Sequence, residues 1–153
     1  MPLVLLWIVV AALVTAAGVP SVHQTAGALR LELWVGKASY VVGEPVQAHL
    51  AARNGGRTPL RVEFASGQRF DLVVRQRGVL VWRWSHDRAF VQVLQEVTLR
   101  PGQALTFEAT WGQIDLQGRR VEPGTYELVG VFLGRTSQAG MLETPPLLLR
   151  ITP

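Results

Sequence analysis

Ser85, His86 and Asp87 are the side-chain types from which an activated hydroxyl nucleophile is built, the imidazole taking the proton and the carboxylate orienting the imidazole. Three consecutive residues do not set those groups in line for proton transfer, so Ser85-His86-Asp87-Arg88 reads as a polar turn. His23, His49 and His86 lie far apart, with no HxH or HExxH spacing to pair them on a metal. Asp71, Asp87 and Asp115 are isolated, and no loop gathers the oxygens that calcium requires. Gly55-Gly56 opens a strand rather than a helix, so it makes no phosphate cradle. Cysteine is absent, which excludes disulfides, Cys-ligated zinc and a thiol nucleophile. The pattern points away from an enzyme, and neither a metal nor another cofactor is expected.

The elements that would carry these side chains alternate with period two. Residues 79–92 form the stretch around which the others are arranged. Read as a strand from Val79, they turn Leu80, Trp82 and Trp84 to the core and Val79, Val81 and Arg83 to the other side, with Phe90 re-entering the core after the polar run. Other inward rows are Leu29, Leu31, Leu33 and Val35; Val46, Ala48, Leu50 and Ala52; Phe70, Leu72 and Val74; Leu105, Phe107, Ala109 and Trp111; and Tyr126, Leu128, Gly130 and Phe132. Asn54-Gly55-Gly56, Gln76-Arg77-Gly78, Pro101-Gly102 and Pro123-Gly124 punctuate them, and residues 134–144 read as a loop. Eight or nine short strands with no amphipathic helix indicate an all-β, immunoglobulin-like antiparallel β-sandwich, with a closed barrel as the alternative. Trp82, Trp84, Phe90, Trp111 and Tyr126 are its expected aromatic core, and Tyr126 suits either a tyrosine corner or an ordinary strand position.

A chain of 153 residues is one domain's worth. Its net charge of +4 comes from 15 basic and 11 acidic residues interspersed along the strands, which describes solvated sheet faces and not a nucleic-acid footprint. Residues 3–19 are uncharged and nearly all apolar, so residues 1–17 read as a signal peptide cleaved near Ala17 or as an uncleaved N-terminal anchor. A linker over 18–28 and the sandwich over 29–153 follow. The location expected from this leader is the periplasm, cell envelope or extracellular space, with membrane contact only through the N-terminal segment.

Residues 46–132 carry a set of short motifs in a fixed order: Asn54-Gly55-Gly56, Ser66-Gly67-Gln68, Trp82-Arg83-Trp84-Ser85, Pro101-Gly102, Trp111 and Pro123-Gly124-Thr125-Tyr126. In these the chain resembles the intracellular proteinase inhibitor family of bacilli, the BsuPI type. The resemblance implies an immunoglobulin-like sandwich that binds a subtilisin-like serine protease, and it transfers no inhibitory residue. The alternative is a structural or interaction domain of the cell envelope without inhibitory activity. For an inhibitor, the expected contact is the long connection 112–122, with Ile114, Asp115 and Leu116 extended and exposed between Trp111 and Tyr126. Leu116 folding back over the end of the sandwich is the other reading of that loop. The rival contact is the turn Ser85, His86, Asp87 and Arg88.

Overall fold

The computed structural model describes residues 18–153, so the proposed leader over 1–17 lies outside the described residues. In chain order the strands are β1 (Ser21–Ala26), β2 (Leu29–Val35), β3 (Ser39–Val41), β4 (Val46–Asn54), β5 (Leu60–Phe64), β6 (Phe70–Gln76), β7 (Val79–Arg83), β8 (Gln95–Leu99), β9 (Ala104–Trp111), β10 (Gly124–Phe132), β11 (Leu142–Glu143) and β12 (Leu147–Thr152). This exceeds the eight or nine expected. Residues 18–28, read as a linker, contain β1, which pairs antiparallel with β2 from Ser21↔Trp34 to Ala26↔Leu29. The expected loop 134–144 contains the two-residue β11, paired to β10.

Among the described residues three sheets form, ordered β1-β2-β4-β9, β3-β12-β10-β6-β7 with β11 beside β10, and β5-β8. Every pairing is antiparallel except β12 with β3, which is parallel. The two larger sheets face each other as a β-sandwich, not as one closed barrel. Leu31, Leu33 and Val35 of β2 and Val46 and Ala48 of β4 share one core with Leu72 and Val74 of β6, Tyr126 and Leu128 of β10, and Leu149 and Ile151 of β12. Each fully buried Leu or Ile in this layer contributes about 1.5–3 kcal/mol relative to exposure. The sheets approach closely at Gly130, where a Cβ would sit 2.5 Å from Leu50 Cδ1 of the opposite sheet.

Local chemistry fixes the connections. Arg77 (φ 50°) and Gly78 (φ 76°) form the two-residue turn from β6 to β7, and two successive positive φ values give the twist that a tight hairpin needs. The buried Asn54 amide donates to Thr58 O at 2.8 Å and Leu99 O at 3.0 Å, while its oxygen accepts the Gly56 N–H at 2.9 Å. One side chain thereby closes the Asn-Gly-Gly turn and ties β4 to β8. The Tyr126 hydroxyl donates to Glu122 O at 2.5 Å, which makes it a tyrosine corner.

Candidate functional site

β7 departs from the expected alternation. Val74 pairs with Trp82 but Arg75 pairs with Leu80, so Val81 is the extra residue of a β-bulge. The slip reverses the parity before it. Trp82 and Trp84 still pack on the main core, but Leu80, expected beside them, packs with Val73, Val129 and Val131 on the outer face of the six-stranded sheet. The strand ends at Arg83, placing Trp84 in the turn that follows.

That turn is held by one of the carboxylates that read as isolated in the sequence. Asp71, on the outer side of β6, is only 6% exposed. Its carboxyl accepts the Ser85 hydroxyl at 2.5 Å, the Ser85 N–H at 3.1 Å and the Leu72 N–H at 2.9 Å. The Ser85 hydroxyl is therefore committed to Asp71, while exposed His86 pairs with its neighbour Asp87 at 3.6 Å. This is a structural turn, not a nucleophile with its base. Arg88 closes it from outside, its guanidinium 4.2 Å from the Trp84 ring centroid and its Nε donating to Trp84 O at 3.1 Å. Inward from Trp84 the rings continue: Phe70 at 4.3 Å, then Phe107 at 4.7 Å from Phe70 across the sandwich, with Phe90 flanking Trp84 at 5.9 Å.

The connection between β9 and β10 is not the extended loop expected of it. Ile114 forms a bridge with Arg120, and the Asp115 carboxylate accepts the N–H groups of Gln117 and Arg119, both at 2.9 Å, so the chain doubles back. Foremost among the influences on Asp115, the Arg119 N–H holds its carboxyl below the usual aspartate range; burial opposes this, and the Gln117 N–H and the Arg119 guanidinium reinforce it. The Leu116 side chain is half-buried and its N–H donates to Val81 O at 3.0 Å, using the carbonyl that the bulge leaves without a ladder partner. Gln113 anchors the base with φ 57° and a buried amide that donates to Val41 O and Glu44 O at 2.8 Å and accepts the Gly43 N–H at 3.1 Å. The cue was available in Gln113-Ile114-Asp115, where a polar residue interrupts an otherwise inward row, but its partners lie about seventy residues away.

Between the Arg88 turn and β8 lies a third segment, 89–94, which runs without turn or bend and leaves Val91, Val93 and Leu94 exposed. Elsewhere, on the outer face of the four-stranded sheet, Trp34 stacks on His49 at 5.2 Å, and His49 faces Glu108 at 3.3 Å. Lys37, Tyr40, Gln47 and His49 line a shallow depression of about 290 Å³ beside them. Among the described residues no three metal-ligating side chains converge.

Among solved structures, the chain is similar to a β-glucosidase from Erythrobacter marinus (18% identity, 78% of this chain and 15% of that one, TM-score 0.42). It is also similar to the CARDB domain of a Pyrococcus furiosus protein (11% identity, 78% and 84%, TM-score 0.42) and to the sporulation control protein of Bacillus subtilis (16% identity, 83% and 50%, TM-score 0.44). The chain thus spans 15–16% of the length of the β-glucosidases it matches. No curated protein matches the sequence. The family model BsuPI, described as intracellular proteinase inhibitor, matches residues 33–137, extending at both ends the region over which the motifs carry the resemblance. That description points inside the cell and so corrects the expectation of a protein exported to the periplasm, envelope or exterior. With more than half of its length inside this match, the chain belongs to the BsuPI family of intracellular proteinase inhibitors.

Proposed function

We propose that this protein is a non-catalytic, stoichiometric inhibitor whose target is a serine endoprotease of the subtilisin type. The observation that carries the reading is the family match over residues 33–137, which takes in the chain from within β2 to the end of β10 and so strands of both large sheets. We read the sandwich as immunoglobulin-like: the parallel β3–β12 pairing at the start of the six-stranded sheet and the tyrosine corner at Tyr126 support that assignment. Such a scaffold suits inhibition because a rigid sandwich displays loops whose ordering entropy is already spent in folding, which strengthens binding without additional contacts.

The two loops expected to make the contact are shaped differently from a substrate. Residues 114–116 belong to a turn closed by Asp115, and residues 85–88 are drawn onto Asp71 and Trp84. Both suit the rim of an interface better than the interior of a cleft. Incubating the full chain with a panel of serine endoproteases tests the function. Loss of proteolytic activity in proportion to added protein is expected for at least one subtilisin-type enzyme, whereas indifference across the panel would overturn the reading.

A further inference from the structure

We propose that residues 92–94, with Leu94 as the anchor, are the segment that enters the active-site cleft of the protease; this rests on the inhibitor reading above. Large apolar side chains left in water normally occur singly, but among the described residues three exposed ones lie in four consecutive positions, Val91 at 69%, Val93 at 50% and Leu94 at 84%, the last being the most exposed of all. Rearranging two or three side chains would not cover them, because the stretch runs along the surface with no turn or bend and with no residue in the left-handed region. An endoprotease cleft accepts this kind of chain, pairing with its main chain and lodging alternate apolar side chains in pockets.

The segment is braced at both ends by a single connection, residues 65–69. Gly67 N–H donates to Val91 O at 2.8 Å, and the Arg69 guanidinium donates to the Gln95 side-chain oxygen at 3.1 and 3.3 Å. Arg69 is itself placed with its guanidinium 4.9 Å from the ring centroid of buried Phe64. On one side Phe90 packs against Trp84, and on the other β8 pairs with β5 from Gln95 to Leu99. Residues 92–94 are thus the only unfastened part of a span whose two supports are fixed, the condition under which a binding loop loses little freedom in its complex. Among the described residues β8 has β5 as its one ladder neighbour, so the segment leads into an open sheet edge that a partner's main chain can extend. Neither 85–88 nor 114–116 combines exposure, apolar character and an unturned backbone in this way.

The test compares the full-length wild type with Leu94→Asp and Leu94→Ala against a subtilisin-type protease, reading the inhibition constant, the thermal midpoint and the molecular mass in solution. Loss of a central anchor weakens an interface by about 100-fold or more, so Leu94→Asp is expected to raise the inhibition constant by that factor, and Leu94→Ala by about 10-fold, at an unchanged midpoint. If the wild type inhibits and both variants inhibit equally well, the contact lies elsewhere and the assignment falls while the inhibitor reading stands. A wild-type dimer that Leu94→Asp dissociates without loss of inhibition would show the edge pairing two copies of this chain, also against the proposal. A wild type that inhibits no protease would remove the inhibitor reading and, with it, this one.

Discussion

A carboxyl that is 6% exposed has lost most of its water, and Asp71 replaces it with the Ser85 hydroxyl and two backbone N–H groups. Ser85→Ala leaves one carboxyl oxygen without its partner and is expected to cost about 1–3 kcal/mol, read as a lower denaturant midpoint at unchanged slope. An unaltered midpoint would mean that water replaces the hydroxyl without loss. Tyr126→Phe keeps the ring against Trp111, at 5.4 Å, and deletes the hydroxyl with its bond to Glu122 O, so about 1 kcal/mol is expected. Burial foremost pushes the Tyr126 hydroxyl above its ordinary value; a hydrogen bond with Gln76 pulls it down and the nearby Glu122 charge adds to the rise. A raised folded-state value gives a contribution complete below about pH 10 and lost as pH rises further. The Phe variant should lose stability less steeply than wild type over that alkaline range, and parallel curves would contradict this. Trp111 and Tyr126 were legible from the apolar rows they continue, both being buried, whereas Trp82 lost its parity with Leu80 at the bulge and Phe90, expected to re-enter the core, flanks Trp84 outside the buried cluster. Asp71 was not legible, since nothing local in Phe70-Asp71-Leu72 marks a partner fourteen residues away.

At the scale of the element, the strands with an apolar row followed from alternation, while polar β1, read as a linker, and the departures from alternation did not. Val79, Leu80, Val81 and Trp82 are apolar at both parities, so a one-residue slip leaves no trace in the pattern, and the bulge at Val81 became visible only in the pairing with β6. The turn after Trp111 was hidden for a related reason. Its two determinants are a glutamine bonded to remote backbone and an aspartate capping its own loop, neither of which has a periodicity. The depressed Asp115 value gives the turn a stabilising contribution present above the ordinary aspartate pKa of about 3.9 and lost as pH falls below it. Amide exchange at Gln117 and Arg119 should therefore accelerate on acidification beyond the intrinsic pH effect, and Asp115→Ala should abolish that extra response. The contact between sheets at Gly130 is equally specific. Gly130→Ala forces its Cβ toward Leu50 and is expected to cost about 1–3 kcal/mol by overpacking. Combined with Leu50→Ala, it should lose at least about 0.5 kcal/mol less than the two single losses added together. Strict additivity would mean that the sheets simply separate at that point.

For the whole molecule, the class of fold was written in the spacing of short strands and Pro-Gly turns, while the surface that acts was not. Segment 89–94 reads in the sequence as a return to the core and the start of another strand; only the three-dimensional arrangement leaves Val91, Val93 and Leu94 uncovered. Burial is decided by what lies opposite a segment, and among the described residues no neighbour arrives opposite this one. The same gap separates family membership, carried by turn glycines and buried aromatics, from the identity of the target. The measurement that bears most directly on the inhibitor reading is an active-site titration of a subtilisin-type protease with the full chain, followed by mass analysis of the mixture. Residual activity is predicted to fall linearly to zero near one equivalent, with the inhibitor recovered in a stable complex. Undiminished activity at excess inhibitor, with the chain cut to fragments, would contradict the account.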